Sequence, residues 1–202
     1  MKTKEKIIRE ALNLFSIKGF NAVSVRDISS AVGIKASSLY NHFENKQDIF
    51  DTIVNKGSKR INTFLKKFCV KPEFLESELT KFKELSDDDF FNIHFEIFRF
   101  YLEDAFIVQF RRMLEIERFN NSEISNLYRK IFIDTIINYE HKIFSALIKL
   151  DIIENKDPYL LALQFFSPIF LLFSNSERLS DQELSLLKNH IIQFRHTYEL
   201  KG

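Results

Sequence analysis

Apolar positions recur at three- and four-residue steps along almost the whole chain, the spacing that lines one face of a helix. Polar clusters and rare turn residues cut this pattern into segments. They predict a basic start helix over about 3–18, two short helices within about 25–43, and a connecting helix from Lys46 to about Lys67. Pro72 suits the first turn of the next helix, where a missing backbone N–H costs nothing. Ser86 and Asp87–Asp89 open another, with acidic groups at the positive end of its dipole. Further helices are expected over about 104–118, 122–149, 158–174 and 181–198. Four glycines and three prolines in 202 residues leave few places for turns, which argues against a sheet-rich fold. The expected fold class is all-α, with a three-helix head over residues 1–62 and a helical body over 63–202. The boundary falls in or just after the connecting helix.

The stretch SVRDISSAVGIKASSLYNHFENK, from Ser24 to Lys46, carries the most chemistry. Ser24 and Asp27 have the spacing of a capping box, in which a hydroxyl and a carboxylate satisfy each other's backbone N–H groups. Val25, Ile28 and Val32 give the short helix that follows one buried stripe. Gly33 stands at the corner, where a left-handed backbone costs glycine nothing. Leu39 and Phe43, four apart, turn the second helix inward. Ser37, Ser38, Tyr40, Asn41 and His42 point elsewhere. A merely solvated helix would favour Glu, Lys or Gln at such positions. The layout is that of a helix-turn-helix element over about 25–44, whose second helix enters the major groove of DNA.

With these residues in view, the head resembles the TetR family of bacterial transcriptional regulators. The matching residues run from KEKIIREALNLFSIKGF (residues 4–20) through SVRDISSAVGI to KASSLYNHFENKQDIF, roughly the first quarter of the chain. Phe15, Gly19, Phe20, Ile28, Gly33, Leu39, Tyr40, His42, Phe43 and Lys46 fall on the family pattern. Lys35 departs from it: many members carry a capping Ser there, so this chain gives up a cap and gains a positive charge. The resemblance implies a homodimer on an inverted-repeat operator in double-stranded DNA, a repressor released by an apolar or aromatic small molecule. It implies DNA contact by Arg26, Lys35, Ser37, Ser38, Tyr40, Asn41, His42 and Lys46. Lys46 is expected to meet phosphate as a cation and through the N–H groups of its helix. Tyr40 and His42 are expected to hold backbone oxygens, Lys35, Ser37 and Asn41 to face base edges, and Ser38 to serve either way.

The body is rich in phenylalanine. Phe91, Phe95, Phe98 and Leu102 form one helical stripe, Phe90, His94, Ile97 and Tyr101 an adjacent one, and Asp89, Glu96 and Glu103 a narrow polar edge. Two readings stand: a core built of large rings, or rings lining an effector pocket with a few polar groups to orient the ligand. For the pocket, the candidates are His94, Phe95, Phe98, Arg99, Phe110 and Met113. Later, YLLALQFFSPIFLLFS is apolar nearly all round and must be covered on both sides. It is too short, and too interrupted by Pro168, to span a membrane, which takes about 20 apolar residues. Ser180 and Glu183 form a second capping box before the seam Leu184, Leu187, Ile191, Phe194 and Tyr198. Phe166, Phe170, Leu184, Leu187, Ile191 and Phe194 are the candidates for dimerisation, and burial within one subunit is the alternative.

Composition changes this picture little. The net charge is +1, divided as +3 over residues 1–50 and −2 over the rest, so any phosphate contact comes from one end. A lone cysteine, Cys69, excludes an intrachain disulfide and, with a charged N-terminus, favours the cytoplasm. Its bland reading is a buried thiol. The five histidines have no metal-binding spacing, and there is neither a glycine-rich phosphate loop nor a nucleophile elbow. No enzyme activity, metal or cofactor is expected. The alternative to a regulator is a helical carrier of apolar ligands, or a scaffold, whose head does not bind DNA.

Overall fold

The computed structural model describes residues 2–67, 79–175 and 179–199. Cys69 and the helix expected from Pro72 lie outside them. Among the described residues there is no strand, only one isolated bridge between Ile153 and Glu199. The chain divides into two compact units. One comprises Met1–Phe64 and Ala105–Arg129, the other Leu65–Asp104 and Lys130–Gly202.

The first unit contains α1 (Thr3–Lys18), α2 (Val25–Val32), α3 (Ala36–Leu39), α4 (Lys46–Leu65), α6 (Ala105–Glu117) and α7 (Ser122–Arg129). Its core draws on Ile7, Leu12 and Phe15 of α1, Ile28 of α2, Leu39 of α3, Ile49 and Ile53 of α4, and Ile107, Phe110 and Met113 of α6, all at most 1% exposed. At the α1–α2 end, the rings of Phe15, Phe20 and Phe50 meet with centroids 5.1–6.0 Å apart. Where α4 crosses α6, the contact closes on a glycine. A Cβ at Gly57 would lie 2.6 Å from the Phe110 ring. The head is therefore built with help from residues 105–129, which sequence periodicity alone assigns to the body.

The second unit contains α5 (Asp87–Glu103), α8 (Thr135–Lys149), α9 (Pro158–Asn175) and α10 (Asp181–Tyr198). Ser86 and Ser180 cap α5 and α10, their hydroxyls accepting from the N–H groups of Asp89 and Glu183. The helix expected over 122–149 is interrupted: residues Lys130–Asp134 form a π-helical turn between α7 and α8. Pro168 does not break α9, although proline inside a helix costs about 3 kcal/mol. Leu161, Ala162, Phe165, Phe166 and Ile169 are all buried around it, and that packing outweighs the lost backbone bond. No described helix is long and apolar enough to cross a membrane.

Candidate functional site

The helix-turn-helix forms by local chemistry. Ser24 and Asp27 make the reciprocal capping box: the Asp27 N–H donates to Ser24 Oγ at 3.1 Å and the Ser24 N–H to Asp27 Oδ2 at 2.7 Å. These bonds to Ser24 hold the Asp27 carboxyl below the usual carboxylate range. Gly33 ends α2 at φ 77°, ψ 35°, where the Ile34 N–H returns to the Ser29 carbonyl at 3.0 Å. A Cβ there would meet nothing within 4 Å, so the left-handed dihedral, not crowding, selects glycine. Lys35 precedes α3 without a side-chain cap, since an ammonium has no lone pair to offer. Regular α3 is only one turn long. The chain then continues as turn, with the N–H groups of His42 and Phe43 both reaching the Leu39 carbonyl.

Leu39 and Phe43 are buried, as their spacing predicts. Arg26, Lys35, Ser37, Tyr40 and Asn41 are exposed, while Ser38 and His42 are half-buried. Tyr40 is 54% exposed, unusual for a large ring with no neighbour to cover it. Lys46 is turned the other way. Its ammonium donates to the carbonyls of Phe20 (2.7 Å) and Val23 (2.8 Å) and sits 4.1 Å from the centre of the Phe20 ring. Both carbonyls lie where the chain leaves α1, the Phe20 carbonyl also accepting the Val23 N–H at 3.4 Å, and one cation bridges them. The first turn of α4 is served by Asn45, whose Oδ1 accepts from the Asp48 N–H at 2.9 Å. Sequence spacing missed Glu117, which is buried and accepts the Phe20 N–H at 2.7 Å. The backbone of Phe20 is thus gripped on both sides, by Glu117 on its N–H and by Lys46 on its carbonyl.

The second unit holds a partly open cavity of about 40 Å³. Phe90 and His94 of α5, Glu140 and Phe144 of α8, Phe165 of α9, and Phe194 and Arg195 of α10 are among its lining residues. His94 donates from Nδ1 to the Phe90 carbonyl at 2.8 Å, and burial keeps its pKa below the ordinary imidazole value. Of the six pocket candidates, His94 alone lines this cavity. Phe95 stacks on Phe91 with centroids 5.2 Å apart, and Phe98 is buried. Arg99 is exposed and paired with Glu96 at 2.8 Å. Phe110 and Met113 are core residues of the first unit. Glu140 was not foreseen, yet an acid set within the stripe Ile136, Ile137, Ile143, Phe144 and Leu147 is a legible anomaly.

Among the dimerisation candidates, Phe166, Leu187 and Ile191 are buried within the single chain, Phe170 and Leu184 are half-buried, and Phe194 faces the cavity. The apolar groups that stay outside are Leu160 and Leu171 of α9 and Leu186 of α10, at 52, 60 and 54% exposure. A helix that is apolar all round spends one side on its own core, and the seam picked out by spacing is that side.

Comparison with known proteins agrees with the head's geometry. Residues 7–53 match the family described as bacterial regulatory proteins, tetR family. Over 47 residues the chain is 49% identical to the biofilm operon icaADBC HTH-type negative transcriptional regulator IcaR of Staphylococcus epidermidis. That match covers 23% of this chain and only 25% of IcaR. Solved structures extend the likeness of fold to the full length. A TetR-family regulator from Marinobacter aquaeolei superposes with a TM-score of 0.64 at 22% identity, covering 99% of this chain and 92% of the other. The SmeT–triclosan complex does so with 0.60 at 18%, covering 100% and 94%. The head thus matches the tetR family of bacterial regulatory proteins in sequence, and the whole length shares the fold of solved TetR-family regulators.

Proposed function

We propose that the protein is a homodimeric, ligand-responsive transcriptional regulator that represses from an inverted-repeat operator and leaves it when a small molecule occupies the body. The observation that carries this reading is the capped α2, the glycine corner and the short α3, which together hold Ser37, Tyr40 and Asn41 outward on one exposed turn. Arg26 and Lys35 flank that turn; Lys35, expected at a base edge, stands before α3 rather than on it, so we assign it with Arg26 to phosphate. Lys46 contributes by holding the Phe20 and Val23 carbonyls of the link between α1 and α2. IcaR is named as a negative regulator, which favours repression here, and SmeT in complex with triclosan favours a body that accepts small molecules.

A single helix-turn-helix reads few base pairs, so two heads must act together on half-sites about one duplex turn, or a multiple of it, apart. The uncharged outer face of α9 and α10 is the surface we assign to pairing. It carries Leu160, Gln164, Ser167 and Leu171 on α9, with Gln182, Ser185, Leu186, Asn189 and Gln193 on α10. Release needs only modest coupling: a hundredfold loss of operator affinity corresponds to about 2.7 kcal/mol. Chain continuity supports coupling, since α6 follows α5 after Asp104 alone and ends in the Glu117 that grips Phe20.

The deciding experiment is fluorescence anisotropy with duplexes from the DNA upstream of the protein's own gene. Salt-dependent binding of one palindromic fragment by two chains is expected. Indifference to every fragment at low salt refutes the regulator and favours the ligand carrier.

A further inference from the structure

The cavity of the body contains a group that no described residue answers. Glu140 is 3% exposed, and no described residue gives its carboxyl a hydrogen bond or an ion pair. Burial alone pushes it up to about 8. Around it the wall is aromatic. Phe144, Phe165 and Phe194 meet at centroid distances of 5.0–5.8 Å, and Tyr198 lies 4.8 Å from Phe194. Ring faces carry negative potential and favour a cation over an anion.

The other polar groups on the wall have tasks of their own. Arg195 pairs with Glu199 at 3.1 Å and Asp87 at 3.5 Å, and donates to the Leu85 carbonyl at 2.9 Å. Its guanidinium lies over the Phe90 ring. The Tyr198 hydroxyl donates to Gln164. His94, kept neutral by burial, donates to Phe90. Once Glu140 ionises, the wall carries two carboxylates, Glu140 and Glu199, against one guanidinium. Such a site suits a positive ligand, repels an acid, and leaves Glu140 unanswered when a hydrocarbon enters.

We propose that this cavity binds a small lipophilic amine, its ammonium paired with the Glu140 carboxylate and its apolar frame against Phe144, Phe165 and Phe194. The inference rests on the effector reading only for what binding does to the operator. A volume of about 40 Å³ limits the frame to a few carbons. To bind, the ammonium must displace the proton of Glu140, so amine affinity rises as that proton becomes easier to remove. The expected rise is about tenfold per pH unit from 6 towards 8. Above 8 it levels off, until the amine itself is neutralised near about 10.

The test is an NMR titration of the full chain with isobutylamine, isobutanol and isobutyrate, which share one frame. At pH 8 the amine is expected to bind about tenfold or more tighter than the alcohol, with isobutyrate weakest. Glu140→Gln should remove both the amine's advantage and its pH slope. Equal binding of amine and alcohol, preference for isobutyrate, an amine advantage that survives Glu140→Gln, or no binding of any probe overturns the proposal. If Glu140→Gln does not fold, the unaltered protein decides, because a flat amine affinity between pH 6 and 8 is equally fatal. Operator affinity read in the same samples separates the two claims. Amine binding that leaves it unchanged refutes the effector reading and keeps the amine site. An operator that responds to amine and alcohol alike does the reverse.

Discussion

At the scale of single residues, the head sorts its charges by what they already hold. Lys46 was expected at phosphate, yet two backbone carbonyls and the Phe20 ring have claimed its ammonium. Lys35 has no such engagement on its α3 and is exposed. The two lysines should therefore separate experimentally. Lys35→Ala is expected to reduce the slope of log affinity against log salt by about one phosphate contact. Lys46→Ala should leave that slope unchanged but lower the melting temperature, since hydrogen bonds from a charged group contribute about 1.5–3 kcal/mol. Asn41→Ala should relax preference at one position in each half-site, at about 1–3 kcal/mol, while Tyr40→Ala weakens all sequences alike. Salt titrations on the operator and on single-base variants measure all four, and a lost slope in Lys46→Ala would return that ammonium to the phosphate. The contrast shows where sequence reading stops. The capping box at Ser24 and the buried pair Leu39 and Phe43 were legible because their partners lie three or four residues away. The partners of Lys46 lie 26 and 23 residues away, and Glu117 reaches across 97, distances at which spacing carries no signal.

At the scale of elements, helix positions were readable and helix neighbours were not. Periodicity places α1, α2, α4, α5, α9 and α10 close to where they stand, because amphipathic stripes and caps are local properties. It gives no reason for Ala105–Arg129 to pack in the same unit as residues 1–64, or for a π turn at Lys130–Asp134. The one clue lay in Gly57, a glycine inside a helical pattern with no cap or turn to justify it. The structure supplies the reason in the ring of Phe110. Gly33 and Gly57 are thus constrained by different physics, which mutation can expose. Gly57→Ala forces its new methyl against a fully buried ring and is expected to cost about 1–3 kcal/mol by overpacking. Gly33→Ala meets open space and bears only the left-handed dihedral, about 1–2 kcal/mol. Asn tolerates that dihedral, so Gly33→Asn should recover part of the loss, whereas Gly57→Asn should be worse than Gly57→Ala. Denaturant melts of the four variants decide it. Rescue by asparagine at both sites would mean that close packing at Gly57 is not the constraint.

At the scale of the whole molecule, function depends on whether two chains pair, and α9 and α10 hold the answer. The seam Leu187, Ile191 and Phe194 is consumed inside one chain, so it cannot also face a partner. What remains outside has an unusual composition. Residues Pro158–Asn175 contain no charged side chain, and Leu160 and Leu171 stand more than half exposed among Gln164, Ser167 and Ser174. A free surface helix of that length would ordinarily carry several lysines and glutamates, whereas the centre of an interface is depleted of them. Leu171→Asp tests the assignment without touching the core, because the side chain it replaces is already in solvent within a single chain. The variant is expected to fold with an unchanged helical spectrum, to elute and sediment as a monomer, and to bind an isolated half-site as the unaltered protein does. Its affinity for the full operator should fall about a hundredfold or more, the avidity that joining two heads confers. Leu187→Asp should instead unfold the body, since Leu187 is 1% exposed. If Leu171→Asp remains dimeric, chains meet through another face and the spacing of the two heads must be set elsewhere. If it becomes monomeric yet keeps full operator affinity, each head reads its site alone, and the inverted repeat loses its reason to exist.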